Sequence, residues 1–189
     1  MDTKTVLLCG VGGQGTILAA DLLAKAALSN GLEVKISEIH GMSQRGGSVT
    51  TTVRFGSKVY SMVHDVASCD YILSFEAVEA LRNLKHLKDG GTLITSSEEI
   101  KSLPVLIGNQ KMPKDCAHKL ENVGAHVVDA NKIAKEIGNV KCSNVVLLGV
   151  LAKYLGFTED SWEEAISLRV PPKTIDVNIA AFKAGKTHR

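Results

Sequence analysis

The chain is poor in aromatic residues, which make up 4% of its 189 positions and include one tryptophan. Its 22 lysines and arginines are nearly matched by 20 acids, leaving a net charge of +2. With no basic stripe and no interleaved rings there is no surface to track phosphates and stack bases, so nucleic acid is not an expected partner. Cysteine is scarce and scattered: Cys9, Cys69, Cys116 and Cys142 form no Cys-x-x-Cys pair. Neither a zinc site nor an iron–sulfur run assembles from ligands so spaced, and the thiols read as small buried apolar residues. Long apolar runs are missing too. The longest, residues 145–157 (VVLLGVLAKYLGF), is broken by Gly149 and Lys153 and is shorter than the roughly 20 residues of a bilayer span. It reads as a core helix, and no membrane partner is expected. The stretch MDTKTVLLCG has neither a basic leader nor a small-residue cleavage site, so the expected location is cytoplasmic.

What remains is ordinary globular composition, 44% hydrophobic and 22% charged, in a chain long enough to bury about 70% of its unfolded surface. One domain over residues 1–189 is expected. Residues 5–9 (TVLLC) form an unbroken apolar run, and Ile17, Leu18, Leu22 and Ala26 follow at helical spacing up to Gly31. Residues 32–39 alternate as a strand. Residues 49–55 and 58–63 flank Gly56-Ser57, which suits a two-residue hairpin and makes the sheet mixed. Residues 70–75 resume the strand pattern, 76–87 read as helix, and Asp89-Gly90-Gly91 as a turn. Residues 92–96, 105–108 and 125–130 read as short strands. Beyond Asp129 the pattern is helical over 131–138, 143–156, 158–168 and 172–184, the last with proline at its start and Gly185 beyond its end. Together these predict an α/β fold in three α/β/α layers. Its sheet is mostly parallel but mixed, with a Rossmann-like start and a helical C-terminal segment, and the ligand crevice lies beyond the carboxyl ends of the strands.

Two glycine loops carry the candidate chemistry. Gly10-x-Gly12-x-x-Gly15 leaves a strand and opens a helix, the setting of a dinucleotide fingerprint. An acid about twenty residues on should then hold a ribose hydroxyl, and Glu38 is the candidate. A helix N-terminus contributes only about 0.3–1 kcal/mol to anion binding, whereas micromolar affinity needs about 8 kcal/mol. The loop alone does not secure a ligand, and a tight turn needing glycine is the competing reading. Gln14 favours contact, since its amide both donates and accepts. The second loop, HGMSQRGGSV, sets Arg45 before Gly46 and Gly47, and its planar fork suits carboxylate or phosphate. Histidine is the side-chain type that changes charge near neutral pH, but His40 has no nucleophile signature paired with it. His64, His86, His118 and His126 have no metal-ligand spacing.

The stretches GVGGQGTILAADLLAKAA, EIHGMSQRGGSVTTTVRFG and PPKTIDVNIAAFKAG together resemble the gamma-type domain of 2-oxoacid:ferredoxin oxidoreductases over most of the chain. The form HGMSQRGG is most similar to the small subunit of the indolepyruvate branch. Gamma subunits acting on pyruvate, 2-oxoglutarate or 2-oxoisovalerate are the alternative, and a free-standing nucleotide-binding protein or a purely regulatory interaction module are others. The resemblance implies a complex that decarboxylates an aryl 2-oxoacid on thiamine diphosphate and Mg, passes electrons through [4Fe-4S] clusters to ferredoxin, and releases aryl-acetyl-CoA from coenzyme A. The Gly-Asp-Gly start of the family's thiamine-diphosphate motif is missing, as are grouped cysteines. The resemblance therefore implies that this chain binds no cofactor alone, supplies no catalytic residue and depends on a large thiamine-diphosphate/iron–sulfur alpha subunit. Gly12, Gly13, Gln14 and Gly15, with Ser43, Gln44, Arg45, Gly46 and Gly47, are the expected surface towards that subunit and the coenzyme A path. Asn178 and Phe182 match the family's N-x-x-A-F ending, with helix packing the favoured reason.

Overall fold

The computed structural model of the protein describes residues 1–40 and 47–188. Strand β1 (Lys4–Val11) is the apolar run and is almost wholly buried, as a central strand must be. Helix α1 (Thr16–Ser29) follows, then β2 (Glu33–His40), β3 (Ser48–Gly56) and β4 (Cys69–Ser74). Next come α2 (Ala77–Asn83), β5 (Leu87–Ser96), the short α3 (Leu103–Leu106), α4 (Cys116–Asn122) and β6 (His126–Val128). The chain ends in α5 (Ala130–Ile137), α6 (Ser143–Ala152), α7 (Glu159–Arg169) and α8 (Ile175–Thr187). The six strands lie in the order β2-β3-β1-β4-β5-β6. All run parallel except β3, which is antiparallel to both β1 and β2. The mixed, mostly parallel sheet is the one expected.

Alternation along β1 divides the interior. Val6 and Leu8 face a large core built with α1, α5, α6, α7 and α8, while Leu7 and Cys9 face a smaller one with α2 and α4. The scarce aromatics are concentrated in the first: Phe157 meets Phe55 at 5.3 Å between centroids, and Trp162 meets Phe182 at 5.1 Å. Helix α6 is buried from Asn144 to Ala152, the core helix that its apolar run predicted. It touches α8 backbone to backbone, with Gly149 against the Phe182 carbonyl and Gly185 against the Val146 carbonyl. Gly185 therefore does not lie beyond the last helix as expected; α8 runs on to Thr187, and the glycine is there for close approach.

Three further expectations fail for physical reasons. No hairpin turns at Gly56-Ser57: β3 pairs back to β2 with Glu33 opposite Gly56, and residues 57–68 are a loop. Gly56 is small because the N-terminal chain crosses it, so that a Cβ there would lie 2.8 Å from Thr3 Cα. Residues 105–108 are not a strand but overlap α3, whose first turn Pro104 starts. Asp89-Gly90-Gly91 is not a free turn either. It is a bulge inside β5, where the register jumps between the Cys69–Leu87 and Tyr71–Thr92 pairs.

Segment 57–68 is fastened to the small-core side of β3. Arg54 donates from Nη1 to the Ser61 and Val63 carbonyls at 2.9 and 2.6 Å. Thr52 Oγ1 lies 3.2 Å from His64 Nδ1, and Ala67 N donates to Lys85 O at 3.0 Å. His64 and His86 meet edge to face at 5.2 Å, and His64 Nε2 and His86 Nδ1 are buried with no hydrogen-bond partner among the described residues. Burial lowers the pKa of both, with His86 and Arg54 also acting on His64, and Lys85 on His86. A lowered folded pKa means that the neutral rings stabilise the fold above the ordinary histidine value of about 6.5, and that this contribution is lost as pH falls below it. The melting temperature is expected to fall more steeply between pH 7 and 5 in the wild type than in His86→Phe, which keeps the ring contact without the charge. Equal slopes by calorimetry would refute this.

Candidate functional site

The carboxyl ends of the parallel strands meet where β1 sends α1 to one face of the sheet and β4 sends α2 to the other, the place where open α/β sheets take ligands. Gly13 and Gly15 have φ of 103° and 80°, the left-handed region that lets the turn close. Gly12 N donates to Gly47 O at 2.9 Å, so the first glycine turn is tied to the residue that ends the second glycine loop. Ser43, Gln44, Arg45 and Gly46 lie outside the described residues, as does the side chain of His40.

Gln14 faces inward. Its Oε1 accepts from Val11 N at 2.8 Å, and its Nε2 donates to Phe75 O at 2.9 Å and Glu98 Oε2 at 3.1 Å. One amide thus ties together the ends of β1, β4 and β5, and its capacity for external contact is taken up inside the protein. With Phe75 it packs against Gly10: a Cβ there would lie 2.8 Å from Gln14 Oε1 and 3.2 Å from Phe75 Cβ. Gly15 is equally constrained, since a Cβ there would meet Asn144 Nδ2 at 2.2 Å. The third glycine of the fingerprint thus packs α6 against the start of α1.

Glu38 does not reach this crevice. It sits on the edge strand β2, opposite Thr51 of β3, which in turn lies opposite Leu8 of β1. At about 4.8 Å per strand it is roughly 10 Å aside from where a ribose would need it. Strand β3, inserted between β1 and β2, removes the acid on which dinucleotide binding depends.

Sequence reasoning missed the buried acids beside the turn. Glu76, 1% exposed, caps α2 by accepting from Glu79 N at 2.7 Å and also accepts from Ile100 N at 2.9 Å. Burial raises its pKa, against the backbone donors of Ile100, Glu79 and Val78. Glu79, 4% exposed, accepts from Ser48 Oγ at 2.6 Å and from Arg82 Nη1 at 2.7 Å. Together with Lys111 and Met112 these residues border a cavity of about 130 Å³. The one available signal was the Glu76-x-x-Glu79 spacing ahead of an apolar helix, a weak form of the capping pattern.

Comparison with known proteins matches residues 5–187 to the family described as pyruvate ferredoxin/flavodoxin oxidoreductase. The chain belongs to that family. The indolepyruvate oxidoreductase subunit IorB of Thermococcus kodakarensis is 45% identical over 98% of this chain and 95% of its own. Among solved structures, the gamma subunit of a keto/oxoacid ferredoxin oxidoreductase from Geobacter sulfurreducens shares the fold with a TM-score of 0.72 and 24% identity, over 96% of this chain and 95% of that one. The 2-oxoglutarate:ferredoxin oxidoreductase of Magnetococcus marinus shares it with a TM-score of 0.76 and 22% identity, over 98% of this chain and 31% of that one.

Among the described residues no group of three His, Cys, Asp or Glu side chains is placed to hold a metal ion. Cys9, Cys69 and Cys116 lie in the smaller core and Cys142 in the larger, so four thiolates cannot converge on a cluster. Burial pushes the Cys9 and Cys69 thiols up to about 12, far from the thiolate form that metal ligation needs. The Asp89-Gly90-Gly91 bulge sits at the amino end of β4 and β5, away from the glycine turn, and does not fit a diphosphate site beside it. Asn178 donates to Thr174 O at 2.8 Å and Phe182 is fully buried, so both serve helix packing. Among the described residues no helix is long and apolar enough to cross a membrane.

Proposed function

We propose that this chain is the small subunit of an indolepyruvate:ferredoxin oxidoreductase, one gamma-type domain over residues 1–189, acting in the cytoplasm. The observation that carries the reading is the 45% identity to the Thermococcus kodakarensis IorB subunit over nearly the full length of both chains. The partner is a large alpha subunit holding thiamine diphosphate, Mg and [4Fe-4S] clusters, which supply the decarboxylation and electron transfer to ferredoxin, with coenzyme A as co-substrate. The buried thiols and the dispersed acids support the view that redox chemistry is housed in that partner.

In this reading the edge formed by Gly12, Gly13 and Gly15 with Gly47 faces the large subunit, and Gln14 holds its shape from behind. Ser43, Gln44, Arg45 and Gly46 are assigned the same role, with Arg45 suited to an anionic group of coenzyme A or of the partner. Neither subunit is expected to turn over alone. Mixing this chain with the large subunit, thiamine diphosphate, Mg, coenzyme A and indolepyruvate should restore viologen reduction; full activity of the large subunit without it would defeat the proposal. Arg45→Ala separates the two roles of the edge, since a raised KM for coenzyme A with normal assembly assigns Arg45 to the co-substrate.

A further inference from the structure

Val11 and Ser48 are the last pair of the ladder between β1 and β3. The glycine turn leaves from one of them and the second glycine loop arrives at the other. The end of a ladder is where a sheet opens most easily, yet this pair is held from both sides. Gln14 Oε1 takes the Val11 N–H, and Ser48 Oγ donates to Glu79 Oε2 at 2.6 Å. The two holds belong to one circuit. Glu79 N donates to Glu76 Oε2 at 2.7 Å, the other oxygen of Glu76 accepts from Ile100 N at 2.9 Å, and two residues back Glu98 Oε2 accepts from Gln14 Nε2 at 3.1 Å. With Gly12 N on Gly47 O, hydrogen bonds and short runs of backbone close a ring through the residues that leave β1 and β5 and those that open β3 and α2.

The chemistry of the ring is not what stability alone calls for. Buried carboxylates contribute little that apolar side chains of similar volume would not, whereas a fully paired polar network specifies one arrangement. Glu76 and Glu79 form such a network, since both oxygens of each accept a hydrogen bond, with Arg82 Nη1 on the second oxygen of Glu79. Ser48 is exposed, so water could satisfy its hydroxyl. That hydroxyl turns instead onto a buried acid.

We propose that Ser48 and Glu79 are positioning residues of the glycine edge, holding the last pair of the β1–β3 ladder from the α2 side as Gln14 holds it through Val11, and so keeping Gly12 and Gly47 in the arrangement that the large subunit binds. This rests on the functional reading above. Neither side chain has to touch the partner or coenzyme A, because each acts through the backbone of the edge.

The test uses the full chain, with amide exchange read by NMR on the free protein and the dissociation constant for the large subunit by calorimetry. In Ser48→Ala, exchange at Gly12 and Val11 should speed up and assembly should weaken, each about tenfold, the scale of one hydrogen bond. The amides of Leu7 and Leu8 in the middle of β1 should keep their protection, which general loosening of the fold would not allow. Ser48→Thr restores the hydroxyl and should restore both readings. In a Glu79→Ala background Ser48→Ala should add little; if Glu79→Ala melts early, Glu79→Gln takes its place in the cycle. Unchanged exchange at Gly12 overturns the proposal, and so does faster exchange with unchanged affinity for the large subunit. A Ser48→Ala loss that persists in full without Glu79 also overturns it, because Ser48 then touches the partner directly. If wild-type chain and large subunit do not associate at all, the functional reading falls and takes this assignment with it, whatever the exchange of the free chain.

Discussion

Gly185→Ala is expected to destabilise the protein by about 2 kcal/mol or more, a drop of roughly 4–8 °C in melting temperature for a chain of this size. A Cβ at this position would stand 1.9 Å from the Val146 carbonyl oxygen, and its counterpart at Gly149 would stand 2.1 Å from that of Phe182. No rotamer relieves a collision between backbones, so α6 and α8 must separate and surrender packing around Phe182 and Val146. Overpacking of this kind costs about 3 kcal/mol, and the better helix propensity of alanine returns about 1 kcal/mol. Because either substitution forces the same separation, Gly149→Ala/Gly185→Ala should cost less than the sum of the two singles. Urea denaturation of the three variants checks this, and a single variant as stable as the wild type would show that the helices are not in backbone contact.

Glu76→Ala should cost about 2–3 kcal/mol by a different route. It leaves Glu79 N and Ile100 N without their acceptor, each worth about 1–3 kcal/mol when buried, while removing a carboxylate whose burial is itself unfavourable. Hydrogen exchange should speed up in the first turn of α2 and around residue 100, the two segments that this side chain joins. Glu76→Gln keeps one acceptor and should lose about half as much. The pH dependence has a definite sign: with its folded pKa raised, Glu76 contributes most below the ordinary carboxylate range and less as pH rises through the folded value. The stability gap between wild type and Glu76→Gln should therefore narrow from mildly acidic towards neutral pH. A gap that widens would mean that the backbone donors outweigh burial.

Where sequence and structure part company, the residues show why. Central strand β1, the helix after the glycine turn and buried α6 were legible because each carries its environment in its own period: unbroken apolar residues for a strand covered on both faces, apolar residues throughout for a helix covered all round. The glycine turn was legible as a turn. Its misleading feature was the fingerprint itself, which is a local pattern and cannot tell whether β2 lies beside β1. The register of β3 between them, set by the pairing of Val53 with both Val6 and Ile36, removed Glu38 from reach. Gln14 likewise has the chemistry of a ligand contact in isolation, and Phe75 and Glu98, far along the chain, made it an internal tie.

Composition and motifs by themselves determined the class of fold, the exclusion of a membrane span and the family resemblance, since these depend on local period and on residue identity. Only the tertiary structure decided which strand lies between β1 and β2, which glycines let backbones approach and which carboxylates are buried. Each of those is a relation between residues up to about 130 positions apart, as when Asn144 approaches Gly15. No window of sequence contains such a pair, and the same alternation along β2 or β3 is compatible with a neighbour on either side until the hydrogen-bonded ladder selects one.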